Sequence, residues 1–151
     1  MSDYETDFYA WAHAQAAALR AKDWAALDLN NLIEEVEDLA GRHRDAVGSE
    51  LKRLLVHLLK WRYQPTHRSD SWVDTIEEAR QAIDDVLEDY PSLAAYPSVV
   101  LPKAYQRARR QAARETKLPL ATFPPEGCPW PLDDIRRAGW LPPDGASGSS
   151  R

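Results

Sequence analysis

Hydrophobic residues recur every three or four positions along most of this chain, which is the spacing of one face of an α-helix. The first such face runs through Phe8, Trp11, Ala12, Gln15 and Leu19 and predicts a helix over about residues 5–21. A short helical turn is expected next, over about residues 23–27, with Trp24 pointing inward. Strand signals are nearly absent, because the only β-branched cluster, at residues 99–101, is enclosed by prolines.

The longest apolar stripe follows Asp28, whose side chain suits a helix N-cap. Its members are Leu32, Val36, Leu39, His43, Val47, Leu51, Leu54, Leu58 and Trp61. Steps of three and four residues over about 30 residues predict one long second helix. Gly41 and Gly48 are candidate bends, because glycine costs about 1 kcal/mol relative to alanine inside a helix. Pro65 ends the helix, since the residue before a proline avoids helical geometry.

Two more long helices and a short one are predicted after this point. The third covers residues 71–90, with Ser71 as its N-cap and Asp74 as the partner in a capping-box-like pair. The fourth covers about residues 99–116, and two prolines near its start leave its first turn open. The fifth is expected over residues 132–138.

Proline placement and charge complete the predicted fold. Residues 1–64 contain none of the 11 prolines, whereas seven lie within residues 119–143, so a helical body precedes a proline-rich segment. The third helix is acidic and the fourth is basic, which favours their antiparallel packing. The predicted fold is all-α: a four-helix-type bundle with a long second helix and a proline-rich C-terminal wrap. We expect one helical domain over residues 1–141 and a disordered tail over residues 142–151.

Composition excludes several classes of protein. The net charge of −5 argues against binding nucleic acid through bulk charge. The single cysteine, Cys128, excludes a disulfide framework and a four-cysteine zinc site, and we interpret it as a small buried apolar residue. No apolar run approaches the roughly 18 residues that span a bilayer. Residues 1–5 also lack the basic start of a secretory signal, so we expect a cytoplasmic protein that does not use a membrane.

Several short motifs occur in an order that resembles a known family. Residues 57–72 read HLLKWRYQPTHRSDSW, and they are accompanied by YETDFYAW at 4–11, NLIEE at 31–35, TKLPLATFP at 116–124 and CPW at 128–130. Together they resemble the bacterial Domain of Unknown Function 29 family over about residues 4–141. Lys117 is a departure, because the family more usually has glycine there, and Pro97 and Pro102 also look atypical. The resemblance implies an all-helical bacterial domain and implies no activity.

Residues 57–72, which we call the corner segment, hold the most unusual chemistry of the chain. Cationic and aromatic side chains alternate there, and the candidate ligand- or partner-binding residues are Trp61, Tyr63, Arg68, Ser69, Ser71 and Trp72. Backbone N–H groups at the N-terminus of the third helix favour a small anion, held by Arg68 and the two hydroxyls. The structural alternative is a plain corner between helices, in which the tryptophans pack inward and Arg68 pairs with Glu34 or Glu35.

No complete catalytic pattern is present, so we predict a non-enzymatic interaction or regulatory domain that binds another protein and uses no cofactor. One alternative is an enzyme acting on an anionic or phosphorylated substrate at the corner, with His57 as general acid or base and Glu34 or Glu35 orienting it. Another is a metal-dependent bundle enzyme using His13, Glu34, Glu37 and His57. That ligand pattern is incomplete, so we expect no metal.

Basic residues on the fourth helix suggest nucleic acid as a further candidate partner. They are Lys103, Arg107, Arg109, Arg110, Arg114 and Lys117. No nucleic-acid-binding motif accompanies them and the whole chain is acidic. We therefore interpret these charges as the complement of the acidic third helix.

Overall fold

A computed structural model describes residues 3–145. Its α-helices are α1 (Asp3–Thr6), α2 (Phe8–Ala21), α3 (Leu29–Tyr63), α4 (Asp70–Asp89), α5 (Tyr96–Thr116) and α6 (Leu132–Arg136). Short 3₁₀ turns occur at Trp24–Ala26, Pro65–His67, Pro91–Leu93 and Leu120–Thr122. No β-strand occurs between residues 3 and 145, and four of the helices are long. The predicted all-α class is therefore confirmed.

Side-chain caps mark the beginning of two of these helices, α2 and α4. Asp7 separates α1 from α2, because its carboxylate accepts a hydrogen bond from the Ala10 N–H at 3.0 Å. Ser69 caps α4 by accepting a hydrogen bond from the Trp72 N–H at 3.3 Å. The prediction that Ser71 caps this helix is wrong, since Ser69 provides a hydroxyl two residues earlier.

Helix α3 is continuous over 35 residues, so neither candidate glycine splits it. Asp28 precedes it, as predicted, and its carboxylate accepts hydrogen bonds from the side chains of Asn31 at 2.8 Å and Trp11 at 2.9 Å. These two hydrogen bonds lower the pKa of the Asp28 carboxyl. A backbone hydrogen bond from Asn31 also reaches the Asp28 carboxylate, so this acid lies at the N-cap of α3 and ties α2 to the start of α3.

Helix α5 begins three residues before the predicted start and includes both atypical prolines. Pro97 lies in its first turn, where the missing N–H has no intrahelical partner to lose. Its C-cap, Lys117, takes a left-handed φ of 64°. Glycine adopts that conformation at no steric cost, which gives a physical reason for the glycine that the family resemblance associates with this position.

The chain divides into two compact units, Met1–Arg42 and His43–Arg151. The N-terminal unit contains α1, α2 and the first part of α3. Its centre is aromatic: the Trp11 ring lies 4.7 Å from Tyr4 and 5.4 Å from Phe8, centroid to centroid. The Gln15 side chain accepts a hydrogen bond from the Asp28 N–H at 2.7 Å. Trp24 is 62% exposed, so the prediction that it points inward is wrong.

The C-terminal unit contains the rest of α3 with α4, α5 and α6 around a closed core. The largest fully buried side chains all belong to it: Tyr105, Phe123, Leu51, Leu54, Leu55, Leu58, Leu59, Ile76, Ile83, Ile135, Val47 and Val56. Two buried arginines hold the proline-rich segment against this core. Arg80 donates to the carbonyls of Ile135 and Trp140, and Arg109 donates to the carbonyl of Phe123 at 3.1 Å.

The sequence predicted one domain over residues 1–141. The division into two compact units does not test that prediction, which stays a prediction. Most of the predicted tail, residues 146–151, lies outside the described residues. Within the described part of that tail, Asp144 accepts a hydrogen bond from Arg68 at 2.7 Å.

Candidate functional site

Arg68, the central residue of the corner segment, is held by the chain itself. Its guanidinium donates to the Trp61 carbonyl at 2.8 Å and to the Asp144 carboxylate at 2.7 Å, and it lies 4.8 Å from the Trp61 ring centroid. Arg68 lowers the pKa of the Asp144 carboxyl through this hydrogen bond and its charge. The structural alternative had Arg68 pair with an acid such as Glu34 or Glu35; Arg68 does pair with an acid, but that acid is Asp144, 76 residues further along the chain.

The other corner residues also have partners within the C-terminal unit. The Lys60 ammonium lies 5.0 Å from the Trp72 ring centroid and 2.9 Å from a Glu115 carboxylate oxygen. Tyr63 packs edge-on against the buried Phe123 at 5.3 Å between ring centroids. Ser71 is exposed in the first turn of α4. The corner is thus internally braced, and its role in binding an anion or a partner stays a prediction.

His57, the proposed general acid or base, is half-buried on α3. Its Nδ1 lies 3.0 Å from the Arg53 carbonyl one turn earlier, a geometry in which the ring N–H donates to that oxygen. Burial is the main cause that lowers the pKa of His57 below 6.5. Glu115 is the carboxylate that acts on this ring electrostatically. The structure does not assign that orienting role to Glu34 or Glu35.

Glu35 has a different partner in the N-terminal unit. Its carboxylate accepts a hydrogen bond from the Tyr4 hydroxyl at 2.5 Å, and this bond is the main cause that raises the pKa of Tyr4 to about 12. Glu34 and Glu37 are exposed on α3. Among residues 3–145, no group of three or more histidine, cysteine or acidic side chains is placed to hold a metal ion. Of the four candidate ligands, His13, Glu34 and Glu37 belong to the N-terminal unit and His57 to the C-terminal unit, and the metal alternative stays a hypothesis.

Two further sequence candidates serve the core of the C-terminal unit. Cys128 packs partly buried against it, and burial raises the pKa of its thiol, which disfavours the reactive thiolate. Arg109, counted in the basic face of the fourth helix, is buried with its guanidinium on the Phe123 and Leu120 carbonyls. That face therefore has one cation fewer than the sequence indicates.

The structure adds a surface that the sequence analysis missed. A groove of about 330 Å³ lies between α2 and α3 within the N-terminal unit, and we call it the N-terminal groove. Its lining is mostly apolar: Phe8, Trp11, Ala12, Gln15, Ala16, Leu19, Leu32, Glu35, Leu39 and Arg42. Phe8, Leu19 and Leu39 are each about half exposed.

Further apolar side chains are exposed on an adjoining face of α3. Leu29, Ile33 and Val36 are at least half exposed. Val36 and Leu39 belong to the apolar stripe predicted for the second helix, yet both are more than half exposed within the N-terminal unit. A signal was available in the sequence: around Leu32 and Val36, the apolar positions also include Leu29, Ile33 and Ala40. This band is wider than one buried stripe needs.

Acidic side chains border the apolar band. Glu34, Glu37 and Asp38 are exposed on the same stretch of α3. Residues 1–42 contain nine acids and three bases, a net charge of −6. The N-terminal groove is thus an apolar surface in a strongly negative field.

Fold and surface together define an all-α protein that presents an apolar groove between two helices of an acidic N-terminal unit. The family model described as domain of unknown function DUF29 matches residues 4–141, and the chain belongs to this family. The resemblance seen in the sequence motifs is therefore confirmed, and the family carries no assigned function. Comparison with curated proteins and with solved structures found no match. No helix among residues 3–145 has the length and apolarity to cross a membrane.

Proposed function

We propose that this chain is a cytoplasmic bacterial interaction domain that binds a basic amphipathic helix of a partner protein in the N-terminal groove. The observation that carries the proposal is the band of half-exposed apolar side chains on α2 and α3. Monomeric proteins rarely expose contiguous apolar patches of this kind unless the patch serves an interaction. A groove between two helices suits the apolar face of a third helix.

Charge selects the occupant. The net −6 of residues 1–42 attracts a cationic helix, whose lysines or arginines would meet Asp38 and Glu34 beside the α3 wall of the groove. A second copy of this chain would present the same −6 and would be repelled at close range. The chemistry therefore favours a basic partner over self-association.

The test uses a synthetic peptide of about 18 residues, or five helical turns, with leucines at helical spacing and lysines at the other positions. A matched peptide carries glutamate in place of every lysine. Fluorescence anisotropy of each labelled peptide against the protein should show binding of the basic peptide only. Equal binding of both peptides, or of neither, contradicts the proposal.

Two uncharged substitutions locate the contact. Leu39→Asn removes an apolar side chain of the groove, and Val99→Asn removes one that is 68% exposed in the C-terminal unit. We expect Leu39→Asn to weaken binding by about tenfold or more, since burying a leucine contributes about 1.5–3 kcal/mol. Val99→Asn should leave binding unchanged. Equal effects of the two variants contradict the proposal.

Two outcomes identify rival surfaces. If Arg68→Ala abolishes binding and Leu39→Asn does not, the docking surface is the corner segment with Trp61, Tyr63 and Trp72, as the sequence predicted. If light scattering shows a dimer that Leu39→Asn dissociates, the occupant is a second copy. Either result overturns the assignment of the groove to a basic helix.

A further inference from the structure

A second concave surface lies wholly in the C-terminal unit, between α3 and α5. It has a volume of about 180 Å³ and is lined by Asp45, Gly48, Ser49, Lys52, Tyr96, Val100, Lys103, Ala104 and Arg107. The α3 members recur at three- and four-residue steps, as do the α5 members, so each helix contributes one face. We call this surface the basic cleft.

The cations of the basic cleft have no partner within the described chain. The side chains of Lys52, Lys103 and Arg107 make neither a hydrogen bond nor an ion pair among residues 3–145. Outside the cleft, the described side chains of Arg110, Arg114 and Lys117 also lack such a partner, whereas these cations of the same unit have carboxylate or carbonyl partners: Arg53, Lys60, Arg68, Arg80, Arg109, Arg136 and Arg137. What distinguishes Lys52, Lys103 and Arg107 is that all three line one hollow, in a chain whose net charge is −5.

The remaining polar groups of the cleft fit the same chemistry. The single acid, Asp45, lies 3.5 Å from the neighbouring Arg44 guanidinium, which offsets its charge. Ser49 and Tyr96 add two hydroxyl donors from opposite helices. Gly48 leaves space on the α3 side of the cleft, because a Cβ at this position would lie 3.5 Å from the Val100 side chain and occupy part of the cleft. An anion entering the cleft would meet donors on both walls.

Size narrows the ligand. A volume of about 180 Å³ equals roughly six water molecules at about 30 Å³ each. Drug-sized ligands usually occupy pockets of about 300 Å³ or more. A tetrahedral dianion with a short carbon chain fits inside this space, whereas the rest of a whole nucleotide would extend out of the cleft into solvent. Arginine and lysine together are the usual protein ligands for phosphate oxygens.

We propose that the basic cleft is a binding site for a small phosphate dianion, either free inorganic phosphate or the phosphoryl group of a small phosphomonoester. Arg107 supplies a two-pronged donor, and Lys52 and Lys103 supply point charges from the two walls. Ser49 and Tyr96 complete the set of donors.

The experiment is isothermal titration calorimetry of the full chain at about pH 8.5, where phosphomonoesters, with a second pKa near 6, and inorganic phosphate, with a higher second pKa, are both largely dianionic. The probes are inorganic phosphate, glycerol 3-phosphate and succinate, the last being a carboxylate dianion of similar size. We expect inorganic phosphate and glycerol 3-phosphate both to bind. Tighter binding of inorganic phosphate would identify free phosphate as the ligand, and tighter binding of glycerol 3-phosphate would identify a phosphomonoester. Absence of phosphate binding overturns the proposal, as does succinate binding of equal strength.

Matched variants distinguish phosphate binding in the cleft from non-specific attraction of phosphate to the positive charges of α5. Arg107→Gln removes a guanidinium of the cleft, whereas Arg110→Gln removes one charge from the same helix outside it. We expect Arg107→Gln to weaken phosphate binding by about tenfold or more, because a charge-assisted hydrogen bond contributes about that much, and Arg110→Gln to have little effect. Lys52→Met should weaken binding from the opposite wall. Equal losses in Arg107→Gln and Arg110→Gln overturn the proposal.

Two controls complete the test. Thermal unfolding of each variant confirms that it is folded, which we expect because Arg107 and Arg110 are exposed. A single-stranded RNA oligonucleotide serves as the competing macromolecule. If it binds more tightly than phosphate and depends on Arg107 and Arg110 alike, the cleft is part of a nucleic-acid surface and the small-anion proposal is wrong.

Discussion

The two units of this chain use apolar residues in opposite ways. In the C-terminal unit, helices α3, α4 and α5 bury complete side chains such as Leu58, Ile83 and Tyr105. In the N-terminal unit, Trp11 and Ala18 are the only buried hydrophobic residues described, and several large ones are half exposed. One helix, α3, contributes to both units with the same apolar spacing. The difference shows that the spacing of apolar residues identifies one face of a helix as suited to burial. The spacing does not say which other segment, or which partner, covers that face.

The largest expected effect comes from truncating one leucine in each unit. Leu58→Ala should lower the free energy of unfolding by about 2–5 kcal/mol, because it leaves a cavity in a closed core. Leu39→Ala should change it by less than about 0.5 kcal/mol, since Leu39 is already 53% exposed. Denaturant unfolding followed by circular dichroism measures both. Similar losses in the two variants would mean that the N-terminal groove is a covered core.

Buried polar side chains provide the next comparison. Arg80 is nearly fully buried and donates to two carbonyls of the C-terminal segment and to Glu77, so Arg80→Met leaves several groups unpaired. We expect a loss of about 3 kcal/mol. In the N-terminal unit, Gln15→Met removes one hydrogen bond to the Asp28 N–H and should cost about 1 kcal/mol.

Hydrogen exchange monitored by mass spectrometry locates each of these two losses. Arg80→Met should increase exchange in residues 132–141, which Arg80 holds through the Ile135 and Trp140 carbonyls. Faster exchange in Gln15→Met should instead appear near Asp28. A protected C-terminal segment in Arg80→Met would show that the apolar contacts alone hold the wrap.

Each unit also contains one lysine in the left-handed conformation at a helix C-cap. Lys22 has φ 58° after α2, and Lys117 has φ 64° after α5. Replacing either with glycine removes steric strain and should raise the free energy of unfolding by up to about 1 kcal/mol. Arg114→Gly, inside α5, is the matched control and should destabilise by about 1 kcal/mol. Stabilisation of one unit only, seen by hydrogen exchange, would show that the units unfold separately.

The smallest expected effect is the pH dependence that His57 contributes to the C-terminal unit. Its pKa is lowered in the folded state, so at acidic pH the unfolded chain binds more protons at this ring than the folded chain does. The resulting stability is complete above the ordinary pKa of 6.5 and is lost as pH falls from there toward the lower folded value. Thermal unfolding between pH 8 and about pH 5 tests this dependence. His57→Gln should flatten the acid side of the curve, with His67→Gln, at an exposed histidine, as the matched control. An unchanged curve in His57→Gln would contradict the assignment.

Much of the fold was predictable from the sequence. The all-α class, the long second helix after Asp28 and the fourth helix ending at Thr116 follow from apolar spacing and proline positions, which act locally. Helix starts were less accurate, because Asp7 and Ser69 provide caps that compete with neighbours of similar chemistry. The corner segment was predictable as a turn, whereas the Arg68–Asp144 pair was not, since those residues are 76 positions apart.

The two binding surfaces proposed for this protein differ in how much of each the sequence reveals. The sequence alone determined that the chain is helical and that an acidic third helix precedes a basic fourth one, and it contained the signal for a broad apolar band near Leu32 without predicting a surface there. Only the tertiary structure decided that this band stays uncovered, that Arg80 and Arg109 turn inward to backbone carbonyls, and that Lys52 faces Lys103 and Arg107 across one cleft. Periodicity and capping are properties of neighbouring residues, whereas burial and the pairing of charges depend on which distant segments the fold brings into contact.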